Sequence, residues 1–182
     1  DMPGDDTTVL GIKVREHAHT SVFVGPPINK CDDEKYVGQF MALPGKKAVC
    51  GGTSSQIVAR YLGKQVSTSC DFPDRDIPPI GYIDGIDLTT EGVITLRRVL
   101  ELSEKYLDPH NYKGKLFDKR DGATLLSKLL FEGSTDLDFF VGQSVNEAHS
   151  GLPIETTMKL KLIDHLAENL RKMGKTVNVR YN

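Results

Sequence analysis

Tryptophan is absent from these 182 residues, and aromatic side chains make up only 7% of them. Aliphatic side chains must therefore supply most of the core. Cysteine is sparse: Cys31, Cys50 and Cys70 lie far apart and form no CxxC pair. An odd, scattered set excludes a disulfide framework and a structural zinc site. Cys50 and Cys70 fall in apolar, strand-like runs and read as small buried hydrophobes rather than nucleophiles. Long apolar stretches are missing as well. The longest run without Asp, Glu, Lys or Arg is 13 residues, 17–29, and it holds two histidines. That is too short and too polar for a membrane span. Nor is there an excess of one charge: Lys+Arg number 23 and Asp+Glu 25, for a net charge of −2. Without a basic surplus to neutralise phosphates, nucleic acid is not an expected partner. Hydrophobic residues at 38% with so little net charge exclude broad disorder. No secretory leader pattern is visible, and with few cysteines a reducing, cytoplasmic location is expected.

What is present is an alternation of strand and helix patterns. The chain opens Asp1-Met2-Pro3-Gly4 without an initiator methionine, as expected of the middle of a longer polypeptide. Residues 7–15 form a β-branched run that reads as a strand orphaned from an upstream domain or paired with the sheet that follows. A polar hinge, 16–20, is expected to leave His17 and His19 exposed. The spacing then predicts strands at 21–24, 47–50, 65–72, 80–86, 137–141 and 177–179. It predicts helices at 32–43, 53–62, 89–107 and 123–131, and a last one starting near Pro153 and ending at Gly174. Their apolar stripes include Tyr61, Ile94 and Met158. Such alternation implies an α/β fold: a three-layer, largely parallel, Rossmann-like sheet with helices on both faces, preceded by the orphan strand.

Three apolar strands run straight into glycine: Val24-Gly25-Pro26-Pro27, Cys50-Gly51-Gly52-Thr53 and Val141-Gly142-Gln143-Ser144. Ligands of open parallel sheets bind outside the carboxyl ends of strands, and glycine lets backbone approach them closely. Gly51, Gly52, Thr53, Ser54 and Ser55 offer several N–H groups and three hydroxyls at a helix start, a cradle for phosphate or carboxylate. A tight turn with a Thr or Ser cap explains the same residues. Thr89 and Thr90, within Asp87-Leu88-Thr89-Thr90-Glu91-Gly92, read as capping residues of the long helix, or as further contacts in the same crevice. Asn146 and His149, after the third glycine loop, are ligand-contact candidates, with a solvated loop as the alternative. Asp71, 19 residues beyond Gly52, stands where a ribose-binding acid would, but neither GxxxxGK[ST] nor GxGxxG occurs. No GxSxG or HExxH is present either.

The segment Pro3-Gly4-Asp5-Asp6-Thr7-Thr8-Val9 places adjacent carboxylates before a strand, which suits a hard divalent cation or a simple Asp-Asp turn. It resembles the closing motif of metal-dependent serine/threonine phosphatases of the bacterial stage II sporulation protein E type. The resemblance implies that Asp5 is a metal ligand, with Mn or Mg in the intact phosphatase. The stretches Val24–Pro27, Asp32–Lys35, Lys47–Thr53, Ile57–Arg60, Leu62-Gly63, Gly85–Gly92, Phe140–Gly142 and Asn146–His149 resemble an accessory domain that follows such phosphatase domains. Residues 1–16 would then be the tail of the phosphatase domain and 17–182 the accessory domain, with the first metal-binding aspartates lying outside this chain. The resemblance implies no catalysis by this chain alone. Three functions follow as expectations. The first is a regulatory domain that senses a small anion and biases the upstream phosphatase domain. The second is a module that docks a partner, such as a phosphoprotein, or dimerises. The third is an independent enzyme on a phosphorylated or carboxylated metabolite, for which the acid–base candidates are Asp71, Asp84, Asp87, Glu91 and His149.

Overall fold

The computed structural model describes residues 8–12, 14–68, 80–111, 113–144 and 154–182. The strands are β1 (His19–Val24), β2 (Lys46–Cys50), β3 (Ser67–Thr68), β4 (Gly81–Tyr82), β5 (Leu88–Thr90), β6 (Asp136–Val141) and β7 (Thr176–Tyr181). The helices are α1 (Asp33–Ala42), α2 (Gly52–Leu62), α3 (Val93–Leu107), α4 (Gly122–Phe131) and α5 (Ile154–Lys172). They form the expected α/β layers, with helices on both faces of one sheet.

Strands that are buried on both faces need apolar side chains at successive positions, and these strands have them. Val22, Val24, Ala48, Cys50, Leu137, Phe139 and Val141 point to one face, under α3, α4 and α5. Phe23, Val49 and Phe140 point to the other, under α1 and α2. On that second face Tyr36, Val37 and Phe40 of α1 repeat at helical spacing and meet Phe23 and Phe140. The four rings, Phe23, Tyr36, Phe40 and Phe140, stack tilted or edge-on with centroids 5.3–5.7 Å apart. Each such pair adds about 0.5–1.5 kcal/mol beyond its buried area. A second trio, Tyr106, Phe117 and Phe131, packs at the edge of the other face.

The sheet order is β3-β4-β5-β2-β1-β6-β7. β5, β2, β1, β6 and β7 are parallel; β3 and β4 extend one edge antiparallel. Counting only the parallel strands in chain order, the arrangement is 3-2-1-4-5, the order of doubly wound sheets. The chain winds outward from β1 in one direction, then returns to β6 and winds outward in the other. β1 and β6 therefore flank the reversal point.

Several expectations need correction. Thr89 and Thr90 belong to β5, and α3 begins only at Val93. Pairing with β2 overrides the helix-start composition of this segment. Only residues 67–68 of the run 65–72 are in a strand among those described, and only 81–82 of the run 80–86. β7 is longer than expected, reaching Tyr181. Tyr61, Ile94 and Met158, assigned to apolar stripes, are largely exposed.

His19 and Thr20 are not hinge residues but the start of β1. His17 is exposed, whereas His19 is half-buried: its Nε2 lies 2.8 Å from Asp138 Oδ2, and its Nδ1 donates to the Pro44 carbonyl at 2.8 Å. The other oxygen of buried Asp138 accepts from Arg180 at 2.8 Å. One carboxylate thus ties β1, β6 and β7 together at the amino edge of the sheet.

Residues 8–12 and 14 lie outside the sheet. Val9, Leu10, Ile12 and Val14 are 81–91% exposed. The described residues of the β-branched run pair with no strand of this sheet.

Two outcomes follow. Asp138→Ala removes the shared acceptor of His19 and Arg180, and should lower stability by about 1–3 kcal/mol in urea unfolding. Replacing Val9, Leu10, Ile12 and Val14 together with serine should leave the melting temperature unchanged, because no core contact is lost. A fall in the melting temperature would mean that the segment packs on the domain.

Candidate functional site

All four central parallel strands end at the same edge. Gly25 follows β1, Gly51 follows β2, Gly92 lies two residues past β5, and Gly142 follows β6. Backbone hydrogen bonds stitch these ends together: Gly51 N–H donates to the Thr90 carbonyl at 2.9 Å, and Gly142 N–H to the Val24 carbonyl at 2.9 Å. The fit leaves no room for side chains. A Cβ on Gly142 would lie 1.9 Å from the Pro26 carbonyl oxygen. Gly25, at φ +79°, takes a conformation that L side chains disfavour.

The Gly51–Ser55 segment divides its labour. Gly51 is the N-cap of α2, and no side chain caps that helix. The capping explanation for Thr53, Ser54 and Ser55 therefore does not hold. Ser54 Oγ accepts from Gly25 N–H at 2.8 Å and so locks α2 to the end of β1. Ser55 Oγ donates to the Gly51 carbonyl at 2.8 Å. Both serines are buried, whereas Gly52 and Thr53 face outward. A Cβ on Gly52 would meet nothing within 4 Å.

α3 starts in the same way. Its N-cap is Gly92, with no side-chain cap and no acid in the first turn. A Cβ on Gly92 would be 3.5 Å from Gly51 Cα, so the two helix starts are neighbours. Uncapped N–H groups and aligned dipoles make this edge attractive to anions. α4, whose start packs on Thr90, has an ordinary cap: Asp121 accepts from Thr124 N–H at 2.8 Å.

A residue that the sequence reading did not single out completes the edge. Lys159 of α5 is buried, and its Nζ donates to the Gly142 carbonyl at 2.5 Å. The same Nζ would lie 2.7 Å from a Cβ on Gly25. Glycine at position 25 therefore makes space for an ammonium. Burial pushes the lysine pKa below its ordinary value. The signal was legible in helical phase: Ile163, Leu166 and Leu170 are buried, and one turn before Ile163 falls Lys159.

The remaining candidates divide by place. Thr89 and Thr90 are at this edge, but their side chains are buried. The Thr90 methyl packs where a Cβ on Gly122 would come within 3.2 Å. Glu91 is partly exposed, and its Oε2 is buried without a hydrogen-bond partner among the described residues. Asp84 and Asp87 are elsewhere. Asp84 is in a turn, paired with Lys64, and Asp87 Oδ2 accepts from Lys47 N–H at the amino end of β2. Neither joins Glu91 in an acid–base set. Asp5, Cys70, Asp71, Asn146 and His149 lie outside the described residues. Among the described residues no cluster of three or more His, Cys, Asp or Glu side chains is placed to hold a metal. No helix there is long and apolar enough to cross a membrane.

Cys50 also points into the core beneath this edge, and burial, first, with the charge of Glu91 pushes its thiol up to about 12 despite a hydrogen bond from Thr90. It is a packing residue. An alkylating thiol reagent at neutral pH should modify exposed Cys31 and leave Cys50 intact until the protein unfolds, as read by mass spectrometry of peptides.

No protein-family model matches the chain, and neither a curated protein nor a solved structure matches it.

Proposed function

We propose that this chain is a non-catalytic regulatory domain that senses a small anion and is joined to a bacterial serine/threonine phosphatase of the stage II sporulation protein E type. The observation that carries the reading is the carboxyl edge of the sheet. At that edge glycine-ended strands converge beside the reversal point between β1 and β6, and two uncapped helices start there, α2 after β2 and α3 after β5. Open α/β sheets bind ligands at such a place.

The phosphatase part rests on the sequence resemblance of Pro3–Val9 and of the segments that follow it. In this reading the metal, Mn or Mg with Asp5 among its ligands, belongs to the intact phosphatase. Ligand binding would act on the neighbouring domain only through different affinity for its states.

A second reading, a partner-docking module, has one observation in its favour: the four exposed apolar side chains at Val9, Leu10, Ile12 and Val14. Apolar surface of that kind marks a site that another chain or domain covers. Under the first reading, the upstream phosphatase domain covers it.

The test is a thermal-shift screen against nucleotides, phosphorylated metabolites, carboxylates, amino acids and divalent metals. A ligand at a hundredfold excess over its dissociation constant adds about 2.7 kcal/mol of stability. One anionic class should raise the melting temperature. Gly52→Leu, whose side chain enters open space, should fold normally and lose that shift. A screen without any shift would turn the assignment to the docking module.

A further inference from the structure

Two lysines of this protein are buried, and they are buried differently. Lys47 at the amino edge is 5% exposed. Its Nζ donates to three carbonyls, those of Leu43, Pro44 and Gly45, at 2.7, 3.2 and 3.4 Å. These carbonyls belong to the C-cap of α1 and the two residues beyond it, so the ammonium is satisfied within the fold. Lys159 at the carboxyl edge is 9% exposed. Among the described residues its Nζ has one partner, the Gly142 carbonyl, and no ion pair with a carboxylate. An ammonium has three N–H donors. Burying a charge so poorly compensated is costly, and a fold keeps it where something else completes it.

The surroundings say what completes it. Gly25 stands next to the ammonium, with no side chain between them. Through its own N–H, Gly25 is bonded to Ser54 in the first turn of α2. The uncapped start of α3 adjoins that of α2 at the Gly51–Gly92 contact. Glu91, which precedes Gly92, lies on the β5 side of β2.

We propose that Lys159 is the charge-recognising group of the crevice, and that the ligand is a small metabolite presenting an oxyanion, a phosphoryl or carboxylate group, to Lys159 and to the N–H groups of Gly52 and Thr53. The proposal rests on the ligand-sensing reading above and gives that ligand its chemical class. The Gly142 carbonyl keeps one N–H of the lysine, and the oxyanion takes the remaining donors as charge-assisted hydrogen bonds.

The experiment titrates inorganic phosphate and malonate into the full chain at constant ionic strength, with chloride as the control. Amide chemical shifts and calorimetry are the readouts. At least one of the two should bind saturably and move the amides of Gly25, Gly52 and Thr53. Lys159→Gln keeps a donor for the Gly142 carbonyl but removes the charge. It should weaken binding about 10- to 100-fold, the worth of one charge-assisted hydrogen bond. Gly52→Glu supplies a second variant whose folding is secure, because its side chain meets open space and an acid suits a helix start. It should repel the anion and hold or raise the melting temperature. Wild-type affinity in Lys159→Gln would overturn the role of Lys159 while leaving the sensing reading in place. If neither oxyanion binds but a ligand without one shifts the melting temperature in the wider screen, the ligand class is wrong and the sensing reading survives. If nothing in either experiment binds, both fall.

Discussion

The pairing of β1 with β6 is the constraint from which the rest follows. More than a hundred residues separate the two strands in the chain, yet they run parallel and in register from His19↔Asp136 to Val24↔Val141. Both are buried on both faces, so their side chains must alternate between two separate cores. Phe23 and Phe140 commit one face to α1 and α2, while Val22, Val24, Phe139 and Val141 commit the other to α3, α4 and α5. A slip of one residue would exchange the two sets and empty both cores. With the register fixed, Gly25 and Gly142 must meet, and only glycine fits where the Pro26 carbonyl lies against Gly142.

The two ends of this sheet treat charge in opposite ways. At the amino edge the buried charges Lys47 and Asp138 have named partners, and so does exposed Asp87. Lys47 binds carbonyls at and beyond the C-cap of α1, Asp87 binds the Lys47 N–H, and Asp138 is shared by His19 and Arg180. Such closed sets contribute to specificity of the fold and leave nothing to offer a ligand. At the carboxyl edge, α2 and α3 start without caps, and Lys159 has one carbonyl. The asymmetry matters because the same chain has the residues to cap a helix and does so at Asp121. The uncapped starts of the neighbouring helices α2 and α3 are a property of those two positions and not of the composition.

The layers, the parallel sheet and the three glycine-ended strands were legible because burial on both faces writes itself as short apolar runs, and the turns out of them as glycine. β5 was not legible. Its three residues, Leu88, Thr89 and Thr90, stand between acids and before Gly92, and local composition reads them as a helix start. Only the vacant edge of β2 makes them a strand. Lys159 was missed for a related reason. Met158 was taken into the apolar stripe of α5, which shifts the helical phase by one position and turns Lys159 outward. With Ile163, Leu166 and Leu170 as the buried set, the lysine falls on the inner face. The roles of Ser54 and Ser55 were hidden too, since sequence places them at a helix start but does not say which partner each hydroxyl takes.

Under the proposed reading, the position of the crevice restricts how ligand binding would act on a neighbouring domain. The exposed segment 8–12 and 14 enters the sheet at its amino edge, where Arg15 donates to the Glu132 carbonyl and His17 meets Asp136. The crevice is at the other end of β1. The six residues between them span about 20 Å of extended chain. β1 is hydrogen-bonded on both sides and packed on both faces, so it does not stretch or bend to carry a signal. A ligand held by α2 and α5, as proposed, would instead favour one placement of those helices over another, and each helix lies on a different face of the sheet. Coupling to an upstream domain then requires that domain to touch a helix layer, and not merely to be tethered through β1.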